Sequence, residues 1–253
     1  MTEITFLHDN NVHVNAEEVF FQYEESADIS KLEILEIIKN VENLAQADAA
    51  KRFGKAPSSG SINNSRGRWF EMIMAHAVLM AKIKGYEVLK LPSATENACY
   101  VDLFAPKDRK KVLSLSLHTS NPDFIIVRVN KKSKTRKFKS FRDFWVAIQE
   151  IPGDLDVKDI KVVFSVKTSP RPDRRYQMIH EANTIKTMHL VLGHTPPKYA
   201  VLMLESSGTD DVIFKYPVLF LLATGKKTPS IDFKAVAKKY ADLMLFLKKQ
   251  IAL

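Results

Sequence analysis

The sequence predicts an α/β or α+β fold: a mixed sheet in the middle of the chain, with helices before it, between its strands and after it. Three observations predict it. Apolar residues recur at helical 3–4 spacing early in the chain, and short β-branched and aromatic runs follow from about residue 86. A run ending at Lys167 is apolar on both faces, as a central strand is. Helix-only and all-β architectures fit that alternation poorly.

Taken in order, residues 1–27 give weak signals, of a strand or an arm. Ser30 is placed to cap a helix through Leu32, Ile34, Leu35, Ile37, Ile38, Val41 and Leu44. Lys55–Ser61 is a loop by composition. A second helix, from about Asn64 to Lys84, carries Arg66, Arg68, Trp69, Phe70, Glu71, Met74, Val78 and Leu79. Strands are expected at Tyr86–Leu91, Ala98–Phe104, Lys111–Leu117 and Asp123–Val129. Phe141–Ile151 reads as a helix, Asp159–Lys167 as the central strand, and Pro172–Leu192 as a helix directly after it. Strands at Tyr199–Glu205 and Asp211–Phe220 and a helix at Phe233–Ile251 complete the expectation.

A chain of 253 residues makes one ordinary catalytic domain, or one with a small appendage, and needs no disulfide or metal staple. Its single cysteine, Cys99, excludes a disulfide framework and a cysteine-based zinc site. No run approaches the length of a membrane span, and the first residues lack the basic-then-apolar pattern of a secretory signal. A soluble, cytoplasmic protein is expected. The net charge of +9 favours a polyanionic partner, nucleic acid being the commonest; a basic protein with no such partner is the alternative.

The chemistry starts at Lys167. Alternation puts Val163, Ser165 and Lys167 on one face of the strand and Val162, Phe164 and Val166 on the other. An ammonium there either snorkels to water or finds an anionic partner. Asn121-Pro122-Asp123 opens another buried strand, so Asp123 sits at the sheet rim, as a turn aspartate or as a metal-holding carboxylate. Rim aspartate and rim lysine together would make a site for a metal ion and an attacking water. The helix after Lys167 opens with Arg171, Asp173, Arg174 and Arg175. Cations are unfavourable at a helix N-terminus, so three arginines there point to an anionic or guanine-rich partner. Arginine reads guanine bidentately and aspartate accepts from cytosine, so such a set can read G and C together. Spacings of four place Asp173, Gln177 and Glu181 on one helical face, within reach of the Lys167 end of the sheet.

Other features carry less. The basic run Lys131, Lys132, Lys134, Arg136, Lys137 and Lys139 is a solvated hairpin tip or a phosphate-contacting surface. His76, His180 and His189 show no paired ligand spacing and read as packed or surface histidines. Trp69 and Phe70 read as core residues rather than base-stacking ones, and Asp210 and Asp211 with Lys215 as a plain turn rather than a loop that contacts flanking bases.

The segment Ser165-Val166-Lys167-Thr168-Ser169-Pro170-Arg171-Pro172-Asp173-Arg174, followed by Glu181, closely resembles the CCGG-cleaving branch of type II restriction endonucleases, in the PD-(D/E)XK nuclease superfamily. That branch places Ser two residues before the lysine and supplies the missing acid from the next helix. Here Ser165 takes the acidic position, Lys167 is the lysine, and Glu181 follows after 13 intervening residues. Asn121-Pro122-Asp123 matches the family's Pro-Asp, and Arg171-x-Asp173-Arg174 its reader of the CCGG core. The helix bearing Arg66-Gly67-Arg68-Trp69-Phe70-Glu71 resembles the one that contributes a further active-site glutamate, which maps to Glu71. The detailed resemblance spans about residues 60–185.

The resemblance implies a restriction-endonuclease-like core with a central mixed five-stranded sheet flanked by helices. It would form a single domain over 1–253, with an N-terminal helical subregion at 1–60 and a catalytic core at 61–253. It implies Asp123, Glu71 and Glu181 as Mg²⁺ ligands, with the Val166 carbonyl as an extra one, and Lys167 as the residue orienting the water. Arg171, Asp173 and Arg174 would contact bases, and Lys131, Lys132, Lys134, Arg136 and Arg175 the DNA backbone. Cleavage before the first C of CCGG would leave 5′ overhangs with 5′-phosphate ends. A homodimer follows from a palindromic target; some members of the branch form tetramers. A cognate DNA methyltransferase is implied in a prokaryotic host. The competing functions are a PD-(D/E)XK nuclease of repair or structure-specific role, which would lack sequence preference, and a non-catalytic sequence-specific DNA-binding protein. The intact Arg-x-Asp-Arg set speaks against the first, and Asp123, Lys167, Glu181 and Glu71 together against the second.

Overall fold

The computed structural model describes residues 3–92, 100–117, 119, 121–129, 137–169, 171–222 and 225–251. The chain forms two compact units: Met1–Lys82 with Ser140–Arg142 and Ala237–Leu253, and Ile83–Lys139 with Asp143–Val236.

In the first unit the weakly signalled N-terminus is an antiparallel hairpin of β1 (Thr5–His8) and β2 (Asn11–Val14). Asp9 and Asn10 turn it at φ 46° and 59°, a left-handed pair that short polar side chains tolerate. Asn15 then caps α1 (Ala16–Ser26) by accepting from Glu18 N at 3.2 Å. Ser30 does not cap the next helix: it lies in a single 3₁₀ turn, bonded to Asp28, and α2 (Ile34–Phe53) starts after Glu33. The apolar stripe Ile34, Ile37, Ile38, Val41 and Ala45 is buried as its spacing requires. Helix α3 (Ser59–Ala81) starts five residues before the expected Asn64, because Ser58 Oγ accepts from Ser61 N at 3.3 Å. Trp69 and Phe70 have no solvent exposure, and Trp69 Nε1 donates to Ala16 O at 2.9 Å.

The second unit holds, in chain order, β3 (Tyr86–Lys90), α4 (Pro106–Ser114), β4 (Phe124–Arg128), most of α5 (Phe141–Ala147), β5 (Ile160–Lys167), α6 (Pro172–Val191), β6 (Lys198–Met203), α7 (Gly208–Ile213), α8 (Leu219–Leu222) and β7 (Phe233–Val236). The chain ends in the first unit with α9 (Tyr240–Ile251), where Tyr240 Oη lies 2.6 Å from His76 Nδ1. The sheet is five-stranded and mixed, in the order β3-β4-β5-β6-β7. Pairs β3–β4 and β4–β5 are antiparallel; β5–β6 and β6–β7 are parallel. The start of β4 and the end of β5 therefore meet at one edge of the sheet, with Phe124 opposite Phe164. On one face, Ile125, Val163, Tyr199, Val201 and Met203 pack with the α6 residues Met178, Ala182, Ile185 and Met188. The other faces of β4 and β5 are buried too, with Phe124, Ile126, Val162 and Phe164 at most 2% exposed.

Three expected strands are not strands. Of Ala98–Phe104, Ala98 and Cys99 lie outside the described residues, and the rest holds a 3₁₀ turn at Tyr100–Leu103, because Tyr100, Val101, Leu103 and Phe104 all turn into the core instead of alternating. Lys111–Leu117 lies in and just after α4, which Pro106 starts and where Val112 is the buried residue among charged ones. Asp211–Phe220 is replaced by α7 and α8, since Ser207 and Asp210 close a capping box. The expected helix at Phe233–Ile251 divides into β7, the parallel edge strand, and α9.

Candidate active site

Asp123 is fixed by its backbone before its side chain does anything. Its N donates to Phe164 O at 3.0 Å, and its carbonyl accepts from Leu91 N at 3.1 Å. Asn121 braces the approach: its Oδ1 accepts from Tyr100 N at 2.9 Å and its Nδ2 donates to Pro92 O at 3.1 Å. The carboxylate then meets the end of β5. Asp123 Oδ2 accepts from Val166 N at 2.6 Å, from Lys167 Nζ at 3.0 Å and from Ser165 Oγ at 3.4 Å. The Asp123 and Lys167 side chains are 16% and 19% exposed, so the pair is sheltered and still reachable from the rim.

Glu181 projects from the sheet-facing stripe of α6 and is 2% exposed. Its Oε1 accepts from the Tyr199 hydroxyl. Burial first, and then the Glu181 carboxylate beside it, push the Tyr199 phenol well above its ordinary range, while a bond from Ser165 acts the other way. Tyr199 thus stands between Glu181 and the Ser165–Asp123 cluster. The expected common face for Asp173, Gln177 and Glu181 is not found: Asp173 and Gln177 are exposed. Each four-residue step turns a helix by about 40° beyond a full turn, so two steps carry the row from solvent onto the sheet.

At the start of α6, Arg171 occupies the N-cap position and Pro172 the first turn. Arg171 holds Asp173 through two bonds, at 3.2 and 3.1 Å, and both side chains are 62% exposed. Desolvation, the largest single effect, raises the Asp173 carboxyl; the Arg171 charge, the Arg171 hydrogen bond and two backbone N–H bonds together outweigh it and leave the group below its usual range. Arg174 Nη1 donates to Ser169 Oγ at 3.3 Å. Arg175, expected on the DNA backbone, has a side chain that is 14% exposed. Its guanidinium turns inward to Asp210, which has no exposure, and to Ser207 Oγ at 2.9 Å. Two of its five N–H donors are thereby committed inside the protein.

Glu71 stands on α3 in the first unit, 3.3 Å from Arg68 Nη1. Lys131, Lys132, Lys134 and Arg136 lie outside the described residues. His180 is exposed, His76 pairs with Tyr240, and His189 Nε2 is 2.9 Å from Tyr100 Oη. Among the described residues no three His, Cys, Asp or Glu side chains converge as a metal-binding group.

From the sequence, Tyr199 is placed only in a strand and Asp210 only in a turn, and the buried bonds of both are missed. A tyrosine in an otherwise apolar central strand needs a buried partner for its hydroxyl, and Glu181 interrupts an apolar helical stripe. Ser207-x-x-Asp210 has the spacing of a capping box.

A family model described as Cfr10I/Bse634I restriction endonuclease matches residues 2–251. The chain belongs to that family. It is a type II restriction endonuclease, a site-specific deoxyribonuclease. The endonuclease is 27% identical over 203 residues to the type II restriction enzyme Cfr10I of Citrobacter freundii, covering 71% of each chain. It shares its fold with the Bse634I restriction endonuclease, at TM-score 0.84 and 22% identity over 98% of this chain and 96% of that one. A crystal structure of the type IIF restriction endonuclease Bse634I with cognate DNA matches at TM-score 0.82 and 23% identity, with the same coverage. Among the described residues, no helix of the endonuclease is long and apolar enough to cross a membrane.

Proposed function

We propose that the endonuclease cleaves double-stranded DNA at a palindrome containing CCGG, before the first C, leaving 5′ overhangs. The observation that carries this is the 3.0 Å contact between Lys167 Nζ and Asp123 Oδ2, on the strand that leads within seven residues to Arg171, Asp173 and Arg174. Chemistry and sequence reading are thereby coupled through one strand and one helix start.

The donor set fits a hard divalent cation, Mg²⁺, because the atoms offered are carboxylate and carbonyl oxygens. Asp123, Glu181 and the Val166 carbonyl would hold it; the assignment of Glu71 rests on its motif alone. When bound, the ion supplies Lewis-acid polarisation of the scissile phosphate. Lys167 orients the attacking water and offsets the charge that builds on the phosphorus oxygens during in-line hydrolysis. Asp123 keeps that ammonium at the rim. The 5′ side keeps the phosphate and the 3′ side leaves as a hydroxyl.

Arg171, Asp173 and Arg174 contact the CCGG bases. The Arg171–Asp173 pair is exposed, and exposed pairs are worth about 0–1 kcal/mol, so opening it to bases is inexpensive. A palindromic target calls for a two-fold partner, so the working unit is a homodimer or a tetramer built from it. A cognate methyltransferase protects the host's own sites, in the cytoplasm of a prokaryotic cell.

The test is digestion of a plasmid rich in CCGG sites with Mg²⁺ or with EDTA, followed by sequencing of the ends. Mg²⁺-dependent fragments beginning at CCGG are expected from the parent, and none from Asp123→Asn or Lys167→Ala, which should still bind the site. Random nicking would make this a nonspecific nuclease. Binding without cutting by the parent would make it a silent DNA-binding protein.

A further inference from the structure

We propose that Tyr199 is a positioning residue for Glu181: its hydroxyl sets the rotamer of the carboxylate that replaces the acid missing at Ser165. The proposal rests on the assignment of Glu181 to the cation site.

Glu181 sits at 2% exposure in a stripe otherwise made of Met178, Ala182, Ile185 and Met188. A carboxylate taken out of water in that way needs a specific partner, and an oriented one decides where its second oxygen points. The Tyr199 hydroxyl, itself fully buried, donates to Oε1. Tyr199 stands opposite Val163, so it shares the sheet face of Ser165 and Lys167 and lies between them and α6.

The donor is held as firmly as the acceptor. Tyr199 N donates to Asp232 Oδ2 at 2.7 Å, and Asp232 N returns a bond to Tyr199 O at 2.8 Å. The same Asp232 oxygen accepts at 2.6 Å from Lys186 Nζ, which also donates to Pro229 O at 2.7 Å. Lys186 lies five residues after Glu181 on α6, so α6 and the start of β6 are joined twice. The tyrosine backbone is therefore pinned to Asp232, and its hydroxyl meets the Glu181 carboxylate. Partners that orient a metal-holding carboxylate typically change metal affinity by about 10–100-fold when removed.

The experiment uses the full chain bound to a CCGG-containing duplex, titrated with Ca²⁺ by calorimetry, beside the Mg²⁺ dependence of cleavage. Tyr199→Phe keeps the ring that fills the core. It should bind the duplex without metal as the parent does, lose Ca²⁺ affinity by about tenfold, and need about tenfold more Mg²⁺ for half-maximal cleavage. Glu181→Gln is the control and should lose at least as much Ca²⁺ affinity. Parent-like Ca²⁺ affinity in Tyr199→Phe, with or without a lower melting temperature, overturns the proposal if Glu181→Gln has lost it. If Glu181→Gln keeps its Ca²⁺ affinity, the assignment of Glu181 falls and the role of Tyr199 falls with it.

Discussion

Arg175 Nε donates to the fully buried carboxylate of Asp210, and this ion pair ties the start of α6 to the capping box of α7. Arg171 and Arg174 thus stand on a helix start anchored from below. Removing one partner of a buried pair leaves an uncompensated charge, which costs about 3–5 kcal/mol. Arg175→Ala should lose about 3 kcal/mol of stability, since Ser207 N still donates to Asp210 at 2.6 Å. Urea denaturation measures it, and a loss under about 1 kcal/mol would show that Arg175 is not the anchor.

Arg174 differs from its neighbour because its guanidinium is only lightly held. Arg174→Ala should leave stability near the parent's and weaken binding to a CCGG duplex by about 1–3 kcal/mol, while binding to random duplex stays within about twofold. Titrating both duplexes at one salt concentration separates the outcomes. Equal losses on the two would make Arg174 a phosphate contact.

Asn121 joins two neighbouring segments through Tyr100 N and Pro92 O just before Asp123. Asn121→Ala should cost about 1–3 kcal/mol of stability. Because Asp123 loses its brace, the cleavage rate at saturating DNA should fall well below the parent's while duplex affinity holds. An unchanged rate in single-turnover cleavage would separate Asn121 from the site.

His189 makes stability depend on pH. Burial, followed by the charges of His194 and Lys161, pushes its imidazole down to about 3 from an ordinary 6.5. The unfolded chain therefore binds a proton between those values that the folded chain does not. The stabilisation is fully present above pH 6.5, falls as pH drops below it, and levels off near pH 3. From pH 8 to pH 5 this group alone should remove about 2 kcal/mol. His189→Gln keeps a polar partner for Tyr100 and should flatten that part of the stability curve. A curve parallel to the parent's would exclude the assignment.

The cluster at the end of β5 was legible because strand alternation and chain order bring Ser165 and Lys167 to the rim, and Pro122 starts a second strand there with Asp123. The two strands expected just before Asp123 fail for one reason. Around Val101 and Val112, β-branched and apolar residues signal burial, and burial serves a 3₁₀ turn or a short helix as well as a strand. Phe233–Val236 was read into a helix because an edge strand of four residues has too few alternations to announce itself.

By itself the sequence determined the mixed sheet flanked by helices, the central apolar strand, and the aspartate–lysine meeting at its end. These follow from periodicity and local stereochemistry, which act over a few residues. Only the tertiary structure decided that Arg175 turns inward to Asp210, that Glu181 leaves the row of Asp173 and Gln177 for the sheet, and that Tyr199 receives it. Each joins groups 18 to 35 positions apart in the chain. Which buried partner a charged side chain meets depends on what the fold brings against it, and no local pattern names that partner.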